Sequence, residues 1–161
     1  MGGCTGRPPC LVIVSMMGKY GSQADNGNAI RNGRDPTVTT ILVVDDEPPM
    51  REVLQVFLRE SGHHVLTSDS GEDAVKICYE YEETIDVMVT DLSMPGIDGV
   101  QLAKLVRQIR PNVKVVVSSA VSRAACIGQA GLSENAVFLK KPFPLPAMES
   151  AIQDILTTDT R

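Results

Sequence analysis

Tryptophan is absent from this 161-residue chain, and aromatic residues make up only 4% of it. Four cysteines occur, at 4, 10, 78 and 126, and no two share the C-x₂-C spacing of zinc or dithiol redox sites. A zinc module and a disulfide scaffold are therefore disfavoured, and a reducing compartment is expected. Long apolar runs are missing too. The longest N-terminal one, Leu11 to Met17, falls far short of the ~20 residues a membrane helix needs. As a signal peptide it is weak, with only Arg7 ahead of it and no clear A-x-A-like site behind. The expected location is cytoplasmic, without membrane contact. No long Lys/Arg run occurs and the net charge is −5, so direct nucleic-acid binding is not expected.

Charge is uneven. Residues 1–38 hold four basic and two acidic side chains, while the remainder holds eleven basic and eighteen acidic. An acidic excess in the body of the chain suits a bound cation. Gly, Asn, Asp and Ser dominate Gly18 to Asn32 and no hydrophobic period is sustained. Residues 1–38 are expected to be a flexible extension. A leader, or a stretch upstream of a start at Met16 or Met17, are equally open readings.

From Thr39 the pattern changes. Ile41-Leu42-Val43-Val44 is a short, wholly apolar run, as expected of a parallel strand buried on both faces. Met50, Val53, Leu54, Phe57 and Leu58 then fall on one helix face, between Pro48-Pro49 as a start and Gly62 as a stop. The alternation repeats. Strands are expected from Val65, over Ile85–Thr90, Val113–Val117 and Ala136–Leu139. Helices are expected over Glu72–Glu82, Val100–Ile109, Ser122–Ala130 and Leu145–Leu156. Five strands alternating with five helices predict an α/β fold with a flavodoxin-like parallel sheet, order 2-1-3-4-5, and helices on both faces. The domain is expected to span 39–157, with 158–161 as a tail.

In such a sheet, ligands bind beyond the carboxyl ends of the strands, at the switch point between strands one and three. The residues at those ends are Asp45-Asp46-Glu47, Asp91, Ser118-Ser119 and Lys140-Lys141. Converging carboxylates repel one another unless a cation lies between them. Oxygen ligands without His or Cys favour Mg²⁺. A carboxylate left able to attack is a candidate phosphoryl acceptor, while lysine and serine are suited to holding phosphoryl oxygens. Each residue also has a plainer reading. Asp45 to Glu47 would suit any helix N-terminus, and Asp91 or Ser119 alone would be ordinary at a strand end. His63 and His64 follow Gly62 in a loop and are expected to be solvated.

Four segments in order, ILVVDDEP (41–48), VTDLSMPGIDG (89–99), VVVSSA (115–120) and FLKKPF (138–143), resemble the response-regulator receiver family. The resemblance covers residue 39 to about 157. It implies that Asp91 is the phosphoacceptor, Asp46 the direct Mg²⁺ ligand and Asp45 its acidic neighbour. It implies that Ser93 offers a backbone carbonyl to the metal. Ser119 matches the switch hydroxyl, Lys141 the lysine that often precedes a cis proline, and Phe138 the aromatic that swings inward on phosphorylation. Phe138 also has a plainer reading, as a partly buried packing aromatic. The implied partners are a histidine kinase or phosphotransfer protein and a downstream protein, with the receiver acting as a monomer or weak homodimer. It is expected to be a signalling switch, not an enzyme with a separate substrate. With no output domain in this sequence, output is expected through protein contact or onward transfer. The segment Gly128–Val137 and the apolar Val121 depart from the family pattern and bear on the fourth helix and on phosphoryl lifetime. Three rivals are weaker. A hydrolase of this fold would show D-x-D after strand one, where Asp45 and Asp46 are adjacent. A flavodoxin-like carrier would show a Gly/Ser/Thr-rich phosphate loop there. A binding-only pseudo-receiver would lack site residues.

Overall fold

A computed structural model describes residues 38–120 and 136–158. The chain divides into two units, Met1–Pro36 and Thr37–Arg161, and all described residues belong to the second. The elements are β1 (Thr40–Val44), α1 (Pro48–Glu60), β2 (His64–Ser68), α2 (Gly71–Glu80), β3 (Val87–Asp91), α3 (Gly99–Ile109), β4 (Lys114–Ser119), β5 (Val137–Lys140) and α4 (Leu145–Thr157). The helix expected over Ser122–Ala130 lies outside the described residues, as does the extension expected over 1–38 except for Val38. The five strands form one sheet in the order β2-β1-β3-β4-β5, with every pairing parallel.

The apolar strands explain the layering. Side chains alternate between faces along a strand, yet β1, β3 and most of β4 are buried at every position. Both faces must therefore be covered. On one face Ile41, Val43, Val89 and Val116 pack with Leu54 and Leu58 of α1 and with Met148, Ile152 and Ile155 of α4. The alternate residues Leu42, Val44, Met88, Val115 and Val117 are equally buried. Their cover includes α2 and α3, which pack against each other and bury Ala74, Cys78, Leu102 and Val106.

The helix boundaries have local causes. Ser70 caps α2 by accepting from Asp73 N–H, and Asp98 caps α3 by accepting from Val100 and Gln101 N–H. Pro48 opens α1, where its missing N–H is harmless. Gly62, at φ +92°, turns the chain out of that helix.

Two sequence expectations are corrected. Val53 was placed on the inner stripe of α1, but it is 47% exposed, and Leu54 and Leu58 carry the burial. The fully buried stripe is narrower than its spacing suggested, with Met50 and Phe57 packing against the core only partly buried. His63 and His64 are not a solvated loop pair. His64 begins β2 and is exposed, whereas His63 is buried with Nε2 3.1 Å from Glu149 Oε1 on α4. A partner 86 residues away gives no local signal.

Candidate phosphoacceptor site

Parallel pairing aligns the carboxyl ends of β1, β3, β4 and β5 along one edge. Val44 lies beside Thr90, Asp91 beside Ser118, and Ser119 beside Lys140. The residues that follow or end these strands are therefore neighbours although up to 96 positions apart.

Lys141 joins them. Its Nζ lies 3.0 Å from Asp91 Oδ1 and 3.2 Å from Asp45 Oδ2. Both aspartates are almost fully buried, at 6% and 2% exposed. Burial alone would pull the lysine down. Hydrogen bonds to and the negative charges of Asp91 and Asp45 outweigh that, so its pKa lies above the usual lysine value. The ammonium is thus the cation that lets two buried carboxylates face each other. The Lys141–Pro142 peptide is cis, and Lys141 N–H donates to Ser119 carbonyl at 2.8 Å, tying the lysine loop to β4.

Each carboxylate is also held from its own loop. Asp91 Oδ2 accepts from Ser93 N–H at 3.1 Å, and Asp45 Oδ1 accepts from Glu47 N–H at 2.9 Å. Behind Asp91 the backbone is crowded. A Cβ on Gly99 would stand 2.3 Å from Asp91 carbonyl oxygen, so only glycine allows α3 to start there. Leu92 N–H donates to Ser118 carbonyl and Gly99 N–H to Leu92 carbonyl, which fixes the turn after β3.

The donors suit a hard divalent ion. Asp45, Asp46 and Asp91 offer carboxylates, and among the described residues no histidine or cysteine is grouped with them. Among the described residues, no group of three or more His, Cys, Asp or Glu side chains is close enough to hold a metal alone. Mg²⁺ does not require one, since it keeps several waters and binds through one or two carboxylates. The residues therefore fit Mg²⁺ with water and backbone oxygen completing its shell.

The sequence profile of the response regulator receiver domain matches residues 41–153. The chain belongs to that family. CpdR of Brucella abortus (strain 2308), a response regulator receiver protein, is 31% identical over 118 residues, covering 72% of this chain and 95% of CpdR. A response regulator receiver protein from Sinorhizobium medicae WSM419 superposes with a TM-score of 0.67 at 28% identity, covering 76% of this chain and 97% of that one. The response regulator TrrA of Thermotoga maritima, solved in complex with Mg²⁺–BeF, gives a TM-score of 0.61 at 29% identity, covering 73% and 98%. Other curated relatives are longer, and the chain spans 26% of two transcriptional regulatory proteins of Escherichia coli. This receiver domain of the two-component type is a signalling switch.

Within the receiver, the structure gathers Asp45, Asp91 and Lys141 directly, with Ser119 buried at the adjoining strand end. Asp46 follows Asp45 and is half-buried. Ser93 meets Asp91 through its N–H. Phe138 is half-buried in β5, one residue pair from Ser118 in the ladder. Lys140 is exposed, as a solvated neighbour should be. Cys78 is a free, buried cysteine; burial pushes its thiol up to about 11, with Arg110 pulling the other way. Sequence reasoning missed Gly99 and Arg51. The first was readable in principle as a glycine opening a helix. The second, whose guanidinium reaches Asp45 carbonyl at 2.7 Å, resembles any basic residue in a first turn.

Proposed function

We propose that this receiver takes a phosphoryl group from a phosphohistidine onto Asp91, with Mg²⁺ bound, and thereby changes a protein-binding surface. The observation that carries the reading is the Lys141 ammonium bridging Asp45 and Asp91 at 3.2 and 3.0 Å. It joins a candidate acceptor carboxylate, a second acid and an ammonium at one sheet edge.

In the transfer, an oxygen of the Asp91 carboxylate attacks phosphorus. The new P–O bond forms as the P–N bond to the donor imidazole breaks, and the imidazole leaves and regains a proton from solvent. Asp45, Asp46, Asp91 and the Ser93 carbonyl would hold Mg²⁺, which supplies charge neutralisation for the phosphoryl oxygens. Lys141 can exchange its contact with Asp91 for one phosphoryl oxygen while keeping Asp45. Ser119 O–H donates to another. Such contacts act by positioning and charge, which is most of what phosphoryl transfer asks of a protein. Movement of Ser119 toward the phosphoryl group draws on β4 beside β5, where Phe138 lies on the adjoining strand. That is the route by which the surface around β5 and α4 would respond.

A histidine kinase or phosphotransfer protein is the donor that fits this chemistry, with a small acyl phosphate able to stand in for it, and a downstream protein reads the altered surface. Among the described residues no helix is long and apolar enough to cross a membrane, and we place the protein in the cytoplasm, where such donors expose their histidine. Incubation with acetyl phosphate and Mg²⁺, followed by intact mass measurement, tests the reading. A Mg²⁺-dependent phosphoryl adduct is expected on wild type and not on Asp91→Asn. A folded wild type that takes no adduct would reduce the protein to a binding-only module.

A further inference from the structure

Arg51 is a charged residue near the acidic site to which the transfer chemistry above gives no part. It sits in the first turn of α1. Its Nη1 donates to Asp45 carbonyl at 2.7 Å, and its backbone N–H donates to Glu47 carbonyl at 3.1 Å. One residue therefore grips both sides of the turn that carries Asp46.

Apart from the Glu47 N–H bond to Asp45 Oδ1 at 2.9 Å, that turn has few other restraints. Glu47, at the N-cap position, makes no side-chain capping bond. Pro48 and Pro49 have no N–H to donate. Asp45, by contrast, is held at every polar atom. Its N–H donates to Ser68 carbonyl at 3.2 Å, Oδ1 accepts from Glu47 N–H, Oδ2 accepts from Lys141, and its carbonyl accepts from Arg51. The carbonyl that Arg51 holds belongs to the peptide linking Asp45 to Asp46. Fixing that peptide plane fixes the N–Cα bond of Asp46, about which its side chain is carried.

We infer that Arg51 is a positioning residue for divalent-cation binding, locking the Asp45–Asp46 peptide so that Asp46 is presented to the ion. The inference rests on the acidic pocket being a Mg²⁺ site. A charge-assisted hydrogen bond to a half-buried carbonyl is strong enough to do this. The guanidinium's charge acts in the opposite sense, since a fixed cation beside the pocket repels a divalent ion. Positioning and repulsion thus predict changes of opposite sign when Arg51 is removed.

The decisive experiment is Mg²⁺ titration of the full chain by calorimetry, for wild type, Arg51→Met, Arg51→Gln and Arg51→Lys. Urea unfolding of each variant and the Asp46 amide resonance in metal-free protein are recorded alongside. Positioning predicts roughly tenfold weaker Mg²⁺ binding in Arg51→Met and Arg51→Gln, the scale of one lost charge-assisted hydrogen bond. It also predicts a displaced Asp46 amide resonance and partial recovery of affinity in Arg51→Lys. A merely structural role would lower stability without moving Mg²⁺ affinity in the folded variants, and would overturn the inference. So would equal or tighter binding in Arg51→Met, or in Arg51→Gln should the former not fold. If wild type itself takes no Mg²⁺, the acidic-pocket reading fails and this inference falls with it. If wild type binds and the variants bind as well, the inference alone fails.

Discussion

The two ends of the sheet are made by the same strands and treat charge in opposite ways. At the amino-terminal end, polar groups close on partners within the protein. Asp86 accepts Thr40 N–H on its carboxylate at 2.8 Å, donates its own N–H to Thr40 carbonyl, and accepts Lys114 N–H on its carbonyl. The Arg110 guanidinium donates to the carbonyls of Cys78, Tyr81 and Glu83, closing the end of α2. At the carboxyl-terminal end, Asp45 and Asp91 are buried around one ammonium, with Asp46 beside them. The first arrangement satisfies groups and stops there. The second leaves negative charge in excess of its cations, which stabilises nothing by itself and is intelligible as a place for a further cation and a phosphoryl group.

That contrast can be broken or sharpened by substitution. The largest effect is expected at Gly99, which serves both stability and the site. Gly99→Ala would drive a Cβ into Asp91 carbonyl oxygen, so it should cost about 3 kcal/mol in urea unfolding and impair phosphorylation in whatever remains folded. Unchanged stability would show the turn after β3 to be looser than described.

Arg110→Ala should separate the two ends. Losing its donors to three carbonyls at the closed end should cost about 2 kcal/mol in the same assay. The rate of adduct formation with acetyl phosphate should stay at the wild-type level. A slowed rate at full folding would mean that the ends are not independent.

Lys141 gives a pH signature. Its pKa is raised in the folded protein above the ordinary 10.5. The native state therefore holds this proton longer than the unfolded chain does. The stabilisation is fully present below pH 10.5 and is lost as pH rises through the higher native value. Thermal unfolding of wild type and Lys141→Met should accordingly converge in the alkaline range. A gap that stays constant from neutral pH upward would contradict the bridge.

Ser119→Ala should have the smallest effect on the fold, within about 1 kcal/mol. It should nevertheless slow adduct formation about tenfold by removing a donor to the phosphoryl oxygens. Equal rates in a stopped-flow or quenched time course would remove Ser119 from the transfer step.

Much of this was legible in the chain. Wholly apolar strands such as Ile41–Val44 and Val87–Val89 announce a sheet buried on both faces, and strand order then decides which polar residues meet. Asp45, Asp91, Ser119 and Lys141 were readable because each ends a strand or follows one directly. The strand ends themselves shifted. Asp91 is the last residue of β3 rather than the one after it, because it stays in register with Ser118 of β4. Asp86, expected inside that strand, instead caps the start of β1. What sequence could not convey were contacts whose two halves are individually ordinary. Arg51 reaches a main-chain carbonyl, which has no residue identity. His63, just past the Gly62 turn, reaches Glu149 on α4, 86 residues further along the chain.

The central claim is that Asp91, and neither neighbouring aspartate, accepts the phosphoryl group. Borohydride reduces an aspartyl phosphate to homoserine, which peptide mass spectrometry can place on the sequence. After incubation of the full chain with acetyl phosphate and Mg²⁺, the account predicts homoserine at position 91 alone. Homoserine at Asp45 or Asp46, or at no position in a folded, Mg²⁺-loaded protein, would contradict it.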